Sequence, residues 1–263
     1  MRKGRSILDK TRHLGLAALG MLALLVLLAG GSTPSMASSA TQMLHASIQH
    51  HAVHGKNSTS TNWSGYANTG GTFDNVQGSW TQPSATCSSG QTAYSSFWVG
   101  IDGDTTNTVE QTGTDADCSS GTPTYYAWYE MYPKFPVNLS TSTYPVAPGN
   151  SLSAKVSTDG QGHFTLTITN ATRGWTFTTN QTSRKDKLGS AEWIAEAPSG
   201  SGGVLPLANF GKVNFTNCTA NGLSISSNPN PDEITMSSSG TVKAQPSSLG
   251  SGGASFSVTW QHS

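Results

Sequence analysis

The chain has 263 residues, room for one large β domain or two small ones once any targeting segment is set aside. Only 11% of its residues are charged, where soluble domains usually carry about 25%, so Ser, Thr, Asn and Gly supply most of the polar surface. The formal charge balance of zero conceals an asymmetry: from Asn57 onward 8 basic residues stand against 13 acidic ones, which disfavours nucleic acid as a partner.

Arg2, Lys3, Arg5, Lys10 and Arg12 precede an apolar run from Leu14 to Ala29, and small residues around Ser35-Met36-Ala37 offer a cleavage site. This is the pattern of a secretory signal over residues 1–37. The run is short for a spanning helix, and no second apolar stretch follows, so the expectation is an exported, extracellular protein without stable membrane association after signal removal. Residues 38–58, with His45, His50, His51 and His54, lack periodic apolar positions and read as a pro-segment or linker. Residues 59–263 read as one domain.

In that domain, runs rich in aromatic and β-branched residues alternate with Gly, Ser, Asn and Pro, and no helical period emerges. The expected strands are 62–67, 78–81, 95–101, 125–132, 151–157, 163–169, 190–196, 213–217, 233–237 and 255–260. Many short strands without helices predict an all-β fold, an antiparallel sandwich of two curved sheets of jelly-roll or lectin-like type.

Period-two alternation then divides three of these strands into faces. Phe97, Val99 and Ile101 share one side, leaving Trp98 and Asp102 on the other. Tyr125, Ala127, Tyr129 and Met131 oppose Tyr126, Trp128, Glu130 and Tyr132, while Ala191, Trp193 and Ala195 oppose Glu192, Ile194 and Glu196. Each strand has an apolar side and a side that sets carboxylates beside aromatic rings, as a substrate groove requires. Glu130 also has a plainer reading as a salt-bridged strand residue, and Trp63, Trp80 and Trp193 read first as packing.

In an exported protein with Cys87, Cys118 and Cys218, one disulfide and one leftover thiol are expected; Cys87 with Cys118 is the preferred pair, since both lie in Ser/Gly-rich loop sequence. A cysteine or serine nucleophile would need a base, and from Asn57 onward only His163 and His262 are available. No Gly-x-Ser-x-Gly turn, His-Glu-x-x-His or paired-cysteine pattern occurs there, so neither a metal nor another cofactor is expected. What remains is carboxylate chemistry with neutral partners. A glutamate can serve as general base toward water, and a glutamine amide can donate to a developing oxyanion.

Seven segments bring these residue types together in order: Asn62-Trp63-Ser64-Gly65, Trp80-Thr81-Gln82-Pro83, Trp98-Val99-Gly100-Ile101-Asp102-Gly103-Asp104, Gln111-Thr112-Gly113 with Asp115, Trp128-Tyr129-Glu130-Met131-Tyr132-Pro133, Ala191-Glu192-Trp193-Ile194-Ala195-Glu196, and Phe210 to Asn217. In these the chain resembles the glutamic peptidases, or eqolisins, which are acid endopeptidases. The resemblance implies a Gln and Glu dyad on a curved sheet face, with Gln111 matching the glutamine and Glu192 the glutamate. Glu196 shares the face and is the second choice. Trp63, Trp98, Asp102, Asp115, Trp128, Glu130 and Tyr132 match residues that line or support the groove. A monomer acting on proteins or peptides is the implied state. The rival reading is a secreted carbohydrate-binding sandwich, since such modules also display Trp, Tyr, Asp and Glu on a concave sheet.

Overall fold

The computed structural model describes residues 50–51, 57–104 and 106–263. The expected signal over 1–37 and most of the segment 38–58 lie outside the described residues. No α-helix occurs among them, only a 3₁₀ turn at Ile225–Ser227, and no helix is long and apolar enough to cross a membrane.

The principal strands are β1 (Asn57–Ser60), β2 (Trp63–Thr69), β3 (Asn75–Thr81), β4 (Ser96–Ile101), β5 (Val109–Ser119), β6 (Thr122–Tyr132) and β7 (Ser151–Thr158). They continue with β8 (His163–Asn170), β9 (Trp175–Thr182), β10 (Ser190–Glu196), β11 (Lys212–Ala220), β12 (Pro231–Ser238), β13 (Thr241–Pro246) and β14 (Phe256–Trp260). One layer runs in the order β6-β5-β4-β10-β2-β12, the other β9-β8-β7-β3-β11-β14-β13, and all these pairings are antiparallel. Strand β12 joins the layers: Pro231–Ile234 pair with β2 and Met236–Ser238 with β13, while β1 adds in parallel alongside Glu233–Met236. The expected antiparallel sandwich is the observed fold.

The core lies between the layers and is filled from the apolar side of each strand. Phe97, Val99, Ile101, Ala127, Met131, Ala191, Trp193 and Ala195 enter it from the first layer, and Val76, Trp80, Leu152, Val156, Phe164 and Leu166 from the second. Their alternation with exposed polar residues is clearest in β7 and β8, whose outer face carries threonine pairs with β9: Thr167 with Thr178 at 3.1 Å and Thr169 with Thr176 at 3.0 Å. Such β-branched cross-strand pairs suit a pleated, half-exposed surface. Two of the indoles in the core satisfy their N–H groups across the layers. Trp80 Nε1 donates to Thr114 Oγ1 at 3.0 Å and Trp193 Nε1 to the Gln77 carbonyl at 2.8 Å. Each avoids the cost of a buried, unpaired donor.

Four of these strands, β1, β5, β9 and β13, were not among those expected from sequence. β5 is the most consequential, because Gln111 lies on it. Its sequence, Val-Glu-Gln-Thr-Gly-Thr-Asp-Ala-Asp-Cys-Ser, is buried along nearly its whole length yet polar on both sides, so neither alternation nor an apolar run reveals it. β9 is an edge strand dominated by Thr and Asn, and β13 is short and ends in Pro246.

The disulfide is Cys87–Cys118, with Cα atoms 5.6 Å apart, as expected. It ties the loop before β4 to the end of β5. Cys218 remains a buried free thiol.

Candidate active site

The face of the first layer that points away from the core carries a ladder of side chains in register. On the first rung lie Glu130, Gln111, Gly100, Glu192, Ala67 and Asp232, contributed by β6, β5, β4, β10, β2 and β12 respectively. The second rung holds Trp128, Gly113, Trp98, Ile194, Gly65 and Ile234. The third holds Tyr126, Asp115, Ser96, Glu196 and Trp63. Apart from Asp102, the faces expected from alternation are the observed ones. Antiparallel pairing aligns residues from remote parts of the chain, and here it sets Gln111 and Glu192 two strands apart on one rung, about 10 Å between backbones.

Gly100 separates them. A Cβ at this position would stand 3.0 Å from the Trp98 ring and 3.1 Å from Gln111 Cβ. Only a residue without a side chain leaves the space between amide and carboxylate open.

Each polar group on the ladder has a distinct environment. Gln111 Nε2 donates to Glu130 Oε2 at 2.8 Å, so the residue beside it on β6 orients the amide. Glu196 accepts from Trp98 Nε1 at 2.7 Å through one oxygen and from Asn62 Nδ2 at 3.2 Å through the other. Asp115 accepts from Trp128 Nε1 at 2.6 Å, and Asp117 from the Tyr126 hydroxyl at 2.8 Å. Glu192 differs: no donor among the described residues meets either carboxyl oxygen with good hydrogen-bond geometry, although the Ser190 hydroxyl and the Asp104 amide lie near enough to act on it. Burial pushes its pKa well above the usual carboxylate range; the Ser190 hydroxyl and the Asp104 amide oppose the shift, while the charges of Asp104 and Asp102 add to it.

Trp63, Trp98, Trp128, Val109, Ile194 and Ile234 form a second apolar cluster on this face, separate from the core, with Tyr126 and Tyr132 packed against it. Trp63 meets Trp98 edge-on, ring centroids 5.0 Å apart. Sequence reasoning places Gln111 and Glu192 facing a solvent-filled groove, but both side chains are fully buried. Aromatic and branched side chains crowd the rungs on either side of them, so this face behaves as a second interior.

Asp102 is placed differently from a groove-wall residue. It follows β4 with φ of 67°, an uncommon conformation for a residue with a side chain. Its carboxylate accepts from three consecutive amides, Lys187 at 2.7 Å, Leu188 at 2.9 Å and Gly189 at 2.8 Å. It clamps the loop that delivers the chain into β10 and Glu192. Glu110, not singled out from sequence, lies nearby and is fully buried. Burial first, and then the charge of Asp102, pushes its pKa up to about 8; the Ser183 hydroxyl opposes this and the Asp186 charge adds to it. Its neighbours come from remote segments, so no local pattern marks it.

The alternative nucleophiles are poorly equipped. Burial pushes the Cys218 thiol far up, away from the thiolate form. His163 pairs with Asp159 at 2.7 Å on the exposed β7–β8 connection. No cluster of three or more His, Cys, Asp or Glu suited to a metal ion occurs among the described residues.

Comparison with known proteins gives a consistent result. The Peptidase A4 family matches residues 61–260. Aspergillopepsin-2 of Aspergillus niger is 33% identical over 184 residues, covering 61% of this chain and 64% of that protein. Scytalidopepsin B of Scytalidium lignicola is 35% identical over 179 residues, covering 63% and 66%. The chain thus spans a little under two thirds of the length of these relatives. A crystal structure of scytalido-glutamic peptidase with a peptide-based transition-state analogue superposes with a TM-score of 0.64 at 28% identity, over 76% of this chain and 98% of that one.

Proposed function

Because the chain belongs to the Peptidase A4 family, we propose that it is a secreted acid endopeptidase in which Gln111 and Glu192 act on a water held between them. The observation that carries this reading is their shared rung, opened by Gly100, with a glutamate whose oxygens no donor among the described residues meets with good hydrogen-bond geometry.

The ionised Glu192 takes a proton from the water as its oxygen attacks the scissile carbonyl carbon. Glu130 fixes the Gln111 amide by accepting from Nε2. The second N–H of that nitrogen then serves the oxyanion of the tetrahedral intermediate, a type of contact whose loss typically costs about a hundredfold or more in rate. The protonated Glu192 returns its proton to the leaving nitrogen as the C–N bond breaks, which restores the carboxylate without a covalent intermediate. Its elevated pKa belongs to the covered carboxyl. Entry of water relieves the desolvation and brings the group toward an acidic working range. Trp63, Trp98, Trp128 and Tyr132 serve as groove walls, Asp115 steadies Trp128, and Asp102 positions the strand that bears Glu192.

Glu196 is the weaker choice for the base, since Trp98 and Asn62 already occupy both of its oxygens. The family match also favours a peptidase over a carbohydrate-binding module. The test is cleavage of a protein substrate at acidic pH: Glu192→Gln and Gln111→Ala should each lose nearly all activity while folding as the parent does. Substantial activity in Glu192→Gln, or an acyl-enzyme trapped on any Ser, Thr or Cys, overturns the mechanism.

A further inference from the structure

Beyond the ladder, the same face continues into a cavity of about 760 Å³. Val109 and Tyr132, which are paired across β5 and β6, form its inner wall. They lie one step of the face past Gln111 and Glu130, about 7 Å along the strands. Arg184, Lys185 and Lys187 line it as well. Among the described residues no acidic side chain lines it, although Asp186 lies in the same run.

Three features make this rim more than a solvated charge run. Between Asn57 and the C-terminus the chain has only 8 basic residues, and three of them stand in four consecutive positions here, on a domain whose remaining charge is net acidic. Among the described residues none of the three forms an ion pair. The loop is also built in place: Asp102 holds its far end through the three amides of residues 187–189, and the Leu188 carbonyl accepts from the Phe73 amide at 2.9 Å. Cations clustered beside a cavity form a complementary field for an anion, which biases which partner is accepted more than it adds raw affinity.

We propose that Arg184, Lys185 and Lys187 form a specificity subsite that selects an acidic side chain of the peptide substrate, within about three residues of the bond that is cut. An extended peptide advances about 3.3 Å per residue and alternates its side chains, so one side chain on either flank of the scissile bond reaches the cavity while the carbonyl lies between Gln111 and Glu192. The subsite rests on the proposed peptidase reading for its register, but not for its capacity to bind an anionic peptide.

The experiment uses paired peptides identical except for Glu or Gln at one position, scanned across both flanks of the cleavage site at a pH where a peptide glutamate is ionised. At one position the Glu peptide should be cut about tenfold more efficiently, as three partly screened charge contacts allow, and added salt should shrink the preference. The triple variant Arg184→Gln, Lys185→Gln, Lys187→Gln should bring the ratio close to one. Lys212→Gln, a charge lost from β11 outside the cavity, should leave it intact. A ratio at or below one at every position, or one unmoved in the triple variant, overturns the subsite. A second arm measures binding alone, with the same peptides and the Glu192→Gln protein. Tighter binding of the Glu peptide that disappears in the triple variant supports the subsite even if nothing is cut, in which case the peptidase reading is the one that fails. Equal binding of both peptides refutes the subsite whatever the cleavage result.

Discussion

Glu110 makes the stability of this protein depend on pH in an unusual direction. Its pKa is pushed up to about 8 in the fold, from about 4.5 in an unfolded chain. Below pH 4.5 both states carry the proton, and the fold keeps its full stability. Between pH 4.5 and 8 the unfolded chain has released the proton while the folded one retains it, so stability falls as pH rises, by about 1.4 kcal/mol for each pH unit. The whole shift sets a ceiling of roughly 5 kcal/mol, a large share of the 5–15 kcal/mol typical of a domain. Glu192, also pushed up by burial, acts in the same direction. Thermal unfolding of the parent and Glu110→Gln between pH 4 and 8 isolates the effect, because the amide has the same shape and no proton to lose. The two should melt together near pH 4. By pH 8 the variant should be the more stable, on the order of 10 °C in Tm for a domain of this size. A difference between the two that does not grow with pH would refute the reasoning.

Other perturbations follow from the same geometry. Gly100→Ala should cost about 1–3 kcal/mol through its contacts with the Trp98 ring and Gln111 Cβ, and should reduce kcat beyond any loss of folded protein, measured by active-site titration beside calorimetry. Asp102→Asn leaves at least one of three amides facing a donor; it should destabilise by about 2–4 kcal/mol, speed hydrogen exchange in residues 183–189 and flatten the pH dependence attributed to Glu110. Glu196→Gln should lose more stability than Glu192→Gln in urea titrations, because it sets an amide N–H₂ against the Trp98 or Asn62 donor. Replacing Cys87 and Cys118 together by Ala should lower stability by roughly 3–4 kcal/mol, given their separation of 31 residues, with no effect expected on the pH profile of cleavage.

What the sequence disclosed, and what it did not, divides along the range of the forces involved. Side-chain period within a strand is local, so the segments from Phe97, Tyr125 and Ala191 reveal which residues face the core and which face the ladder. Strand β5 escapes the same test because Gln111, Gly113 and Asp115 on one side and Glu110, Thr112 and Thr114 on the other are alike in polarity, and pairing with β4 and β6 is what buries them. The rung that joins Gln111, Gly100 and Glu192 is a matter of register between strands far apart in the chain, which no local pattern encodes. The resemblance to glutamic peptidases names the pair. It does not convey that Glu196 is held by two donors, that Glu110 is buried beside Asp102, or that the ladder is enclosed.

Register also decides which changes this site can survive. The ladder repeats every two residues on each strand, so inserting or deleting one residue within β4, β5 or β10 would rotate everything beyond that point to the opposite face. In β10 such a slip would drive Glu192 and Glu196 into the apolar interior and expel Trp193 from it. A chain carrying that error would lose its core and its chemistry together, leaving little room for a folded but miswired intermediate. Length variation among descendants of this sequence should therefore be confined to the connections, such as the stretch between Asp102 and Val109, where an added residue leaves the frame of the strands untouched.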